Sequence, residues 1–129
     1  MKYLVDTTWI IEYLRGNQEI VQSLDSYRDE GLAVAIISVA ELYEGVYRSS
    51  DPSGNENRLS DFLSGVIVLG IDEDVCRVFG RERARLRQVG MGVGDMDLLI
   101  AAVALRDGLT VLTRDNDFLR VENLNTQFS

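Results

Sequence analysis

The sequence predicts an α/β fold in which short, mostly parallel strands alternate with helices. The first observation is that apolar runs of strand length alternate with segments whose apolar residues have helical spacing. The second is that residues 33–37 are apolar throughout, which is typical of a strand buried on both faces of a parallel sheet. The third is that acidic residues repeatedly follow such runs, at the sheet edge where ligands bind in folds of this class.

In the first half of the chain, the elements are delimited by apolar patterning and by residues that begin or end helices. Ser38 and Glu41 have the spacing of a capping box at the start of a helix. The predicted elements are a strand at 2–6, a helix that carries Trp9 and Tyr13 and ends at Gly16, a helix at 18–28, a strand at 33–37 and a helix that begins after Ser38 and continues to residue 47.

The second half starts with the one obvious loop, residues 49–55, which contains the only proline. Asp72 and Asp95 are expected to cap two of the helices that follow, and Gly108 to end the second of these. The predicted elements are a helix at 56–63, a strand at 66–69, a helix at 72–89, a glycine-rich break at 90–94, a helix at 96–107, a strand at 110–113 and a short fifth strand within 121–127.

Length and composition indicate one ordinary globular domain that spans residues 1–129. The lone Cys76 cannot form an internal disulfide, so we expect a reducing compartment and a cytoplasmic location. No apolar run approaches the ~20 residues that a membrane span requires, so no membrane partner is expected.

The net charge of −8 argues at first against a nucleic-acid partner, whose backbone requires positive protein surface. The cations are unevenly distributed, however, because five arginines fall within residues 77–87. Arg77, Arg81 and Arg85 would form one stripe along a helix. Two interpretations of this stripe remain open: a solvated helix face partly paired with Glu82, or a surface that contacts phosphates.

Four acidic residues lie where a strand-like run gives way to a turn or a helix: Asp6, Glu41, Asp97 and Asp115. The carboxyl ends of parallel strands meet at one edge of the sheet, so these carboxylates would repel one another unless a divalent cation binds among them. With no His and one Cys in the chain, oxygen ligands dominate, which favours a hard ion such as Mg²⁺ or Mn²⁺. The pattern predicts metal-assisted chemistry on a phosphate ester.

Each acid also has a purely structural interpretation. Asp6 can cap a helix, Glu41 can complete the capping box, and Asp115 can be a turn residue. Asp97 fits such an interpretation least, because it opens a helix that is apolar on nearly all sides and is therefore expected to be buried. A carboxylate that enters a buried helix needs a cation or several donors close by.

Four strings of the sequence carry a resemblance to a known family. They are Leu-Val-Asp-Thr at 4–7, Ile-Ser-Val-Ala-Glu-Leu at 37–42, Asp-Leu-Leu-Ile-Ala-Ala at 97–102 and Leu-Thr-Arg-Asp-Asn-Asp-Phe at 112–118. In order, spacing and total length the chain resembles the PIN-domain ribonucleases, and in particular the VapC toxins of VapBC toxin–antitoxin systems. The resemblance covers essentially the whole chain.

The resemblance implies roles for individual acids. Asp6, Glu41, Asp97 and Asp115 match the catalytic tetrad, and Asp117 matches an accessory acid of the last motif. The metal ligands that it implies are Asp6, Asp97, Asp115 and Asp117. The implied cofactor is Mg²⁺, with Mn²⁺ as a substitute.

A fold and an activity follow from the same resemblance. The implied fold is a three-layer α/β/α sandwich with a parallel sheet in the order 3-2-1-4-5. The implied activity is metal-dependent endonuclease cleavage of RNA by the toxin of a type II toxin–antitoxin system. Expected partners are the RNA substrate, a cognate antitoxin, and a second copy of the chain or a toxin–antitoxin hetero-oligomer. Asp95 is an extra acid that we leave out of the core site, because it can cap its helix.

The expected antitoxin groove lies beside four large aromatic residues on two helices: Trp9, Tyr13, Tyr43 and Tyr47. Core packing accounts for most of them, yet partly buried aromatics are typical anchors of grooves that receive an amphipathic segment. We predict that the antitoxin docks here and places a basic side chain near the acidic site.

Two other classes of function remain open at this stage. A phosphoacceptor receiver domain also places Asp residues around Mg²⁺ at strand ends, but it requires an active-site lysine, and the only lysine, Lys2, lies near the start of the first strand. A non-catalytic RNA- or protein-binding module would keep the fold and lose the chemistry, which the complete acidic set argues against. Thr7 and Thr113 are candidates to orient a carboxylate or the attacking water. Both can equally be ordinary strand-end residues, and this is the interpretation we prefer for Thr7.

Overall fold

The computed structural model describes residues 2–127, which form a five-stranded sheet with helices on both faces. All neighbouring strands pair in parallel, in the order β3-β2-β1-β4-β5, so the sheet order implied by the resemblance is confirmed. The strands are β1 at Tyr3–Val5, β2 at Leu32–Ala35, β3 at Ile67–Leu69, β4 at Thr110–Leu112 and β5 at Thr126–Gln127.

The helices connect successive strands. They are α1 at Thr7–Leu14, α2 at Gln18–Tyr27, α3 at Ile36–Arg48, α4 at Pro52–Ser64, α5 at Glu73–Gln88 and α6 at Asp95–Asp107, and short 3₁₀ turns cover Arg28–Glu30 and Asn116–Arg120. Within residues 2–127, no helix combines the length and the apolar character needed to cross a membrane.

Successive residues of the strands point to opposite faces of the sheet, and each face has its own apolar core. Leu4 and Val111 belong to the core that α5 and α6 cover, whereas Val5 and Leu112 belong to the core that α1, α2, α3 and α4 cover. The molecule is therefore a three-layer α/β/α sandwich, as predicted.

The second strand ends earlier than the sequence predicts. β2 leaves the sheet at Ala35, which pairs with the last residue of β3, and α3 begins at Ile36. The predicted boundary is wrong because an unbroken apolar run does not mark the change from strand to helix. Ser38 consequently lies inside α3, whose N-cap is Ala35 without a side-chain hydrogen bond, so the predicted capping box of Ser38 and Glu41 is also wrong.

Two other predicted helix starts also need correction. α4 begins at Pro52, inside the predicted loop, because Asp51 accepts a hydrogen bond from the Gly54 N–H and proline is well suited to the first helical position. α6 begins at Asp95 with Gly94 as its N-cap, so Asp95 is not the capping residue.

Two of the predicted helix boundaries are confirmed. The Asp72 carboxylate accepts a hydrogen bond of 3.0 Å from the Val75 N–H and caps α5. Gly108 ends α6 with φ of 67°, a left-handed conformation that favours glycine.

Candidate active site

The acidic residues occupy the carboxyl-terminal edge of the sheet. Asp6 follows β1 directly, Asp115 lies just beyond β4, and Asp97 is in the first turn of α6. β1 and β4 are neighbours in the sheet, and β1 pairs with β2 on its other side. The strand order therefore reverses between Asp6 and Asp115, which is where ligand crevices form in open parallel sheets.

Asp6 is the most deeply placed of these acids, with 3% of its surface exposed. Its Oδ2 accepts a hydrogen bond of 2.8 Å from Thr113 Oγ1. Burial raises the pKa of the Asp6 carboxyl to about 6, and the nearby carboxylates of Asp97 and Asp115 add to this shift. Asp6 occupies the N-cap position of α1 but makes no side-chain cap bond, so the capping interpretation of this residue is wrong.

Thr113 connects two of the acids. It is fully buried, its hydroxyl contacts the Asp6 carboxylate, and its Oγ1 accepts a hydrogen bond of 2.9 Å from the Asp115 N–H. The predicted contact between Thr113 and a carboxylate is therefore present.

Thr7 and Ser38 form a second support that the sequence interpretation missed. Thr7 Oγ1 lies 2.8 Å from both Glu41 Oε1 and Ser38 Oγ, and both hydroxyl residues are buried. Thr7 is therefore not an ordinary strand-end residue, contrary to the prediction. The available signal was spacing, because Ser38 and Glu41 are separated by three positions and share one face of a helix.

The carboxylates of Asp97, Asp115 and Asp117 converge, each offering one oxygen atom within 4.8 Å of the other two. The Asp115 Oδ1 atom also accepts a hydrogen bond of 2.9 Å from the Asp117 N–H. Burial, together with the nearby carboxylates of Asp115, Glu41 and Asp117, raises the pKa of the Asp97 carboxyl to about 6. The structure thus brings the five acids into one electrostatically coupled cluster, with Asp6 and Glu41 beside the converging three.

This donor set fits a divalent cation. Three carboxylate oxygens come together, and like charges add to burial in raising the pKa values of Asp6 and Asp97, so a bound cation would relieve this repulsion. Carboxylate oxygens are hard ligands, which bind hard ions such as Mg²⁺ or Mn²⁺ in preference to soft metal ions.

The arginine stripe on α5 is largely paired within the protein. Arg77 contacts Glu73 and Asp74 at 2.6 and 2.7 Å, and Arg85 contacts Glu82 and Glu122 at 2.9 and 3.1 Å. These contacts occupy both guanidinium groups within the protein, which favours pairing inside the fold over phosphate contact for Arg77 and Arg85.

The aromatic residues divide between core and surface. Trp9 is 1% exposed and belongs to the core under α1, so it has the core-packing role expected for most of the four and is not available as a groove anchor. Tyr13 and Tyr43 are half-buried, and Tyr47 is exposed.

A groove of about 340 Å³ lies among α1, α3 and the start of α4. Apolar residues from α1 and α3 and two arginines line most of it. Glu41 lies in its wall, so the groove reaches the acidic cluster. The lining residues are Ile11, Leu14, Arg15, Glu41, Leu42, Gly45, Val46, Ser49, Asn55 and Arg58.

The only lysine of the chain does not contribute to this site. Lys2 precedes β1 at the opposite end of that strand from Asp6, and its ammonium group pairs with Glu30 at 3.2 Å. The lysine that a receiver domain requires is therefore not beside these acids, and the hypothesis of a phosphoacceptor receiver domain loses its support.

Comparison with known proteins agrees with this geometry. The family model described as "PIN domain" matches residues 3–124. The chain is similar to "Ribonuclease VapC2" of Haemophilus influenzae, with 31% identity over 128 residues that cover 98% of this chain and 97% of the relative. It is also similar to "tRNA(fMet)-specific endonuclease VapC" of Shigella flexneri, with 27% identity and the same coverage of both chains.

A solved structure extends the likeness to three dimensions. The chain superposes on a chain of the DNA-bound VapBC2 structure from Rickettsia felis with a TM-score of 0.92, 27% identity and 98% coverage of both chains. Family model, relative and structure agree over nearly the whole length. The chain therefore belongs to the PIN-domain family and, within it, to the VapC ribonucleases.

Proposed function

We propose that this chain is the toxin of a type II toxin–antitoxin system and cleaves RNA as a divalent-metal-dependent endonuclease. The observation that carries the proposal is the convergence of Asp97, Asp115 and Asp117 within 4.8 Å of one another, beside the buried Asp6 and at the switch point of the sheet. An acidic cluster with raised pKa values at this place is suited to binding a cation and the phosphate that accompanies it.

The acids divide into groups with different tasks. Asp97, Asp115 and Asp117 would hold the ion, and Asp6, fixed by Thr113, would contact it from the sheet. A bound Mg²⁺ or Mn²⁺ supplies neutralisation of the scissile phosphate and a lowered pKa for an attacking water. Glu41 is held by Thr7 and lines the groove, and its second carboxylate oxygen would be available to accept a proton from an attacking water.

RNA is the proposed substrate, and transfer RNA is the class to test first. The Shigella flexneri relative is named for tRNA(fMet) specificity, and this chain matches it over 128 residues. We further propose a cytoplasmic location, because a free, exposed Cys76 suits a reducing compartment.

The antitoxin is the proposed occupant of the groove among α1, α3 and α4. Apolar residues and two arginines line most of it, and Glu41, a member of the acidic cluster, is in its wall. An amphipathic segment would bury its apolar side here and direct a basic side chain toward Glu41, which would suppress cleavage. We expect the working assembly to be a homodimer or a toxin–antitoxin hetero-oligomer, and a light-scattering mass of one chain at high concentration would contradict the homodimer.

The proposed activity is tested with protein purified free of antitoxin. We expect transfer RNA to be cleaved in the presence of Mn²⁺, cleavage to stop when a chelator is added, and excess Mn²⁺ to restore it. Cleavage that persists in the chelator would contradict the metal dependence. Folded, metal-loaded protein that cleaves no transfer, ribosomal or messenger RNA would favour the non-catalytic binding module instead.

A further inference from the structure

The segment that carries Asp115 and Asp117 has little regular structure of its own. It begins at Asp115, continues through the 3₁₀ turn Asn116–Arg120 and the turn that follows, and ends before the two residues of β5. Phe118 and Val121 are buried and anchor the segment in the core beneath α6. Apolar anchors set how deep a segment lies, but they do not fix the direction of its backbone, so the precise placement of the two acids needs polar contacts.

At its beginning the segment is fixed by hydrogen bonds within the site. Thr113 Oγ1 accepts from the Asp115 N–H, and the Asp115 carboxylate accepts from the Asp117 N–H. Neither of these contacts reaches the end of the segment at Arg120 and Glu122.

An ion pair on α5 holds that end. Arg85 donates to both carboxylate oxygens of Glu82, at 3.0 and 2.9 Å, in a bidentate arrangement. Arg85 Nη2 also donates to the Arg120 carbonyl at 2.7 Å, and the Glu122 N–H donates to Glu82 Oε2 at 3.1 Å. The pair therefore contacts one carbonyl and one N–H of the segment and fixes its backbone from two sides.

This pair is more buried than the ion pairs that Arg77 makes on the same helix. The side chains of Glu82 and Arg85 are 13% and 29% exposed, whereas that of Arg77, which pairs with Glu73 and Asp74, is 61% exposed. The bonds from Arg85 hold the pKa of the Glu82 carboxyl below its ordinary value, so the pair is charged whenever the neighbouring site is.

The side chain of Arg120 extends the same link toward the site. Its Nη1 donates to the Gly92 carbonyl at 2.7 Å and lies 3.1 Å from Asp117 Oδ1. Gly92 is in the connection between α5 and α6, and Asp97 follows a few residues later. Contacts therefore connect Arg85 on α5 to Arg120, and Arg120 in turn to Asp117 and to the connection that precedes Asp97.

We propose that Glu82 and Arg85 form a positioning pair that holds Asp115 and Asp117 in place opposite Asp97. The inference rests on the proposed function for what these acids do, because it assigns the pair a role in a cation site. Neither residue touches the cluster itself, and both act through the backbone at Arg120 and Glu122.

The test uses three variants of the full chain: Glu82→Gln, Arg85→Met and Arg85→Lys. Removing a negative charge should weaken cation binding, and removing a positive charge should strengthen it, so a pure charge effect moves the first two variants in opposite directions. If the pair instead positions the acids, both Glu82→Gln and Arg85→Met should weaken Mn²⁺ binding by about ten-fold, as substitutions of residues that support metal ligands do. Arg85→Lys keeps the charge but cannot make the forked contacts, and should weaken binding in the same direction.

Arg77→Met is the matched control, because it removes an exposed ion pair of the same helix that does not contact the segment. Affinities are measured by titration calorimetry at a temperature where circular dichroism shows every variant folded. We expect the Mn²⁺ affinity of Arg77→Met to equal or slightly exceed that of the wild type, because it loses a positive charge but no contact with the segment. Opposite shifts in Glu82→Gln and Arg85→Met, or an unchanged affinity in Arg85→Lys, would overturn the inference.

Hydrogen exchange of the metal-free protein provides a second readout that needs neither metal nor RNA. The Asp117 and Glu122 amides should exchange faster in Arg85→Met and Arg85→Lys than in the wild type, while the amides of β1 remain as protected as before. Equal protection of Asp117 in all variants would overturn the positioning role. A wild type that binds no Mn²⁺ would count against the proposed function, and the exchange experiment would still decide whether the pair fixes this segment.

Discussion

Thr113 Oγ1 donates a hydrogen bond of 2.8 Å to Asp6 Oδ2, and the two residues are 107 positions apart in the chain. The same oxygen accepts from the Asp115 N–H at 2.9 Å. One buried hydroxyl at the end of β4 therefore fixes the carboxylate that follows β1 and the backbone of the acid beyond β4.

Replacing Thr113 by Val should disturb both acids while preserving the shape of the side chain. Asp6 would lose a donor that lowers its pKa, and the Asp115 N–H would lose its acceptor. We expect the free energy of unfolding to fall by about 1–3 kcal/mol, because buried polar groups are left without partners. Urea denaturation measures this loss, and Mn²⁺ titration should show weaker binding. Thr110→Val on the same strand is the control, and an equal effect of both variants would contradict the assigned role of Thr113.

The buried Asp6 should make the stability of the metal-free protein depend on pH. Its pKa is raised from 3.8 to about 6 on folding, so its stabilising contribution is complete below about pH 4 and is lost as the pH rises through 6. The loss amounts to roughly 3 kcal/mol at most, at about 1.4 kcal/mol for each unit of pKa. Asp97 acts in the same direction by a smaller amount, because it is only half-buried.

The measurement compares the wild type with Asp6→Asn in chelator from about pH 4.5 to about pH 7.5, a range that spans the raised pKa. Subtracting the two unfolding free energies at each pH isolates the contribution of Asp6 from that of other acids. We expect the wild type to lose stability relative to the variant as the pH rises. With Mn²⁺ present the trend should reverse, since protons compete with the metal for the same oxygens. If the difference in unfolding free energy between wild type and variant did not change with pH, folding would not raise the pKa of Asp6.

The groove among α1, α3 and α4 can be blocked without replacing an acid. Gly45 is exposed and lines the groove, and a Cβ atom added to it would meet no atom within 4 Å, so Gly45→Phe should fold normally and occupy the groove. We expect a large loss of antitoxin affinity with RNA cleavage unchanged, measured by calorimetry and by a cleavage assay. Gly80→Phe is the control, because Gly80 is an equally open, exposed helix position on α5. Full antitoxin binding by Gly45→Phe would place the antitoxin elsewhere.

Patterns that repeat along the chain predicted the fold correctly. Alternating apolar runs located the strands, and local signals such as the Asp72 cap and Gly108 fixed helix ends, because each of these depends on residues close in sequence. The motif resemblance supplied the strand order, which no local pattern contains.

Interactions between distant residues were beyond the sequence. Ser38 resembles a helix cap when only its neighbours are considered, whereas its partner Thr7 lies 31 positions away. A large aromatic residue such as Trp9 can serve as core or as groove anchor, and the packing of α1 on the sheet assigns it to the core. Arg85 belongs to an apparently solvated stripe, and its contact with the Arg120 carbonyl depends on how the chain returns after β4.

Crowding of acids at the site should cost stability when no metal is bound. Asp97→Asn removes one charge from a cluster whose members help to raise its pKa to about 6, so the metal-free variant should melt at the same temperature as the wild type or higher. The wild type should gain stability when Mn²⁺ is added, and the variant should gain less, because only a bound ligand shifts the folding equilibrium. Asp95→Asn is the control, as it changes an exposed acid of the same helix turn that pairs with Arg83.

The decisive measurement is RNA cleavage by Asp97→Asn beside Asp95→Asn and the wild type, with melting curves of each in Mn²⁺ and in chelator. We predict that Asp97→Asn alone loses cleavage and most of the Mn²⁺-dependent rise in melting temperature, while its metal-free fold remains intact. Cleavage at the wild-type rate by Asp97→Asn would remove this residue from the site. A metal-free variant that is unfolded would instead make Asp97 a residue that the helix start requires, and would contradict its assignment to a metal site.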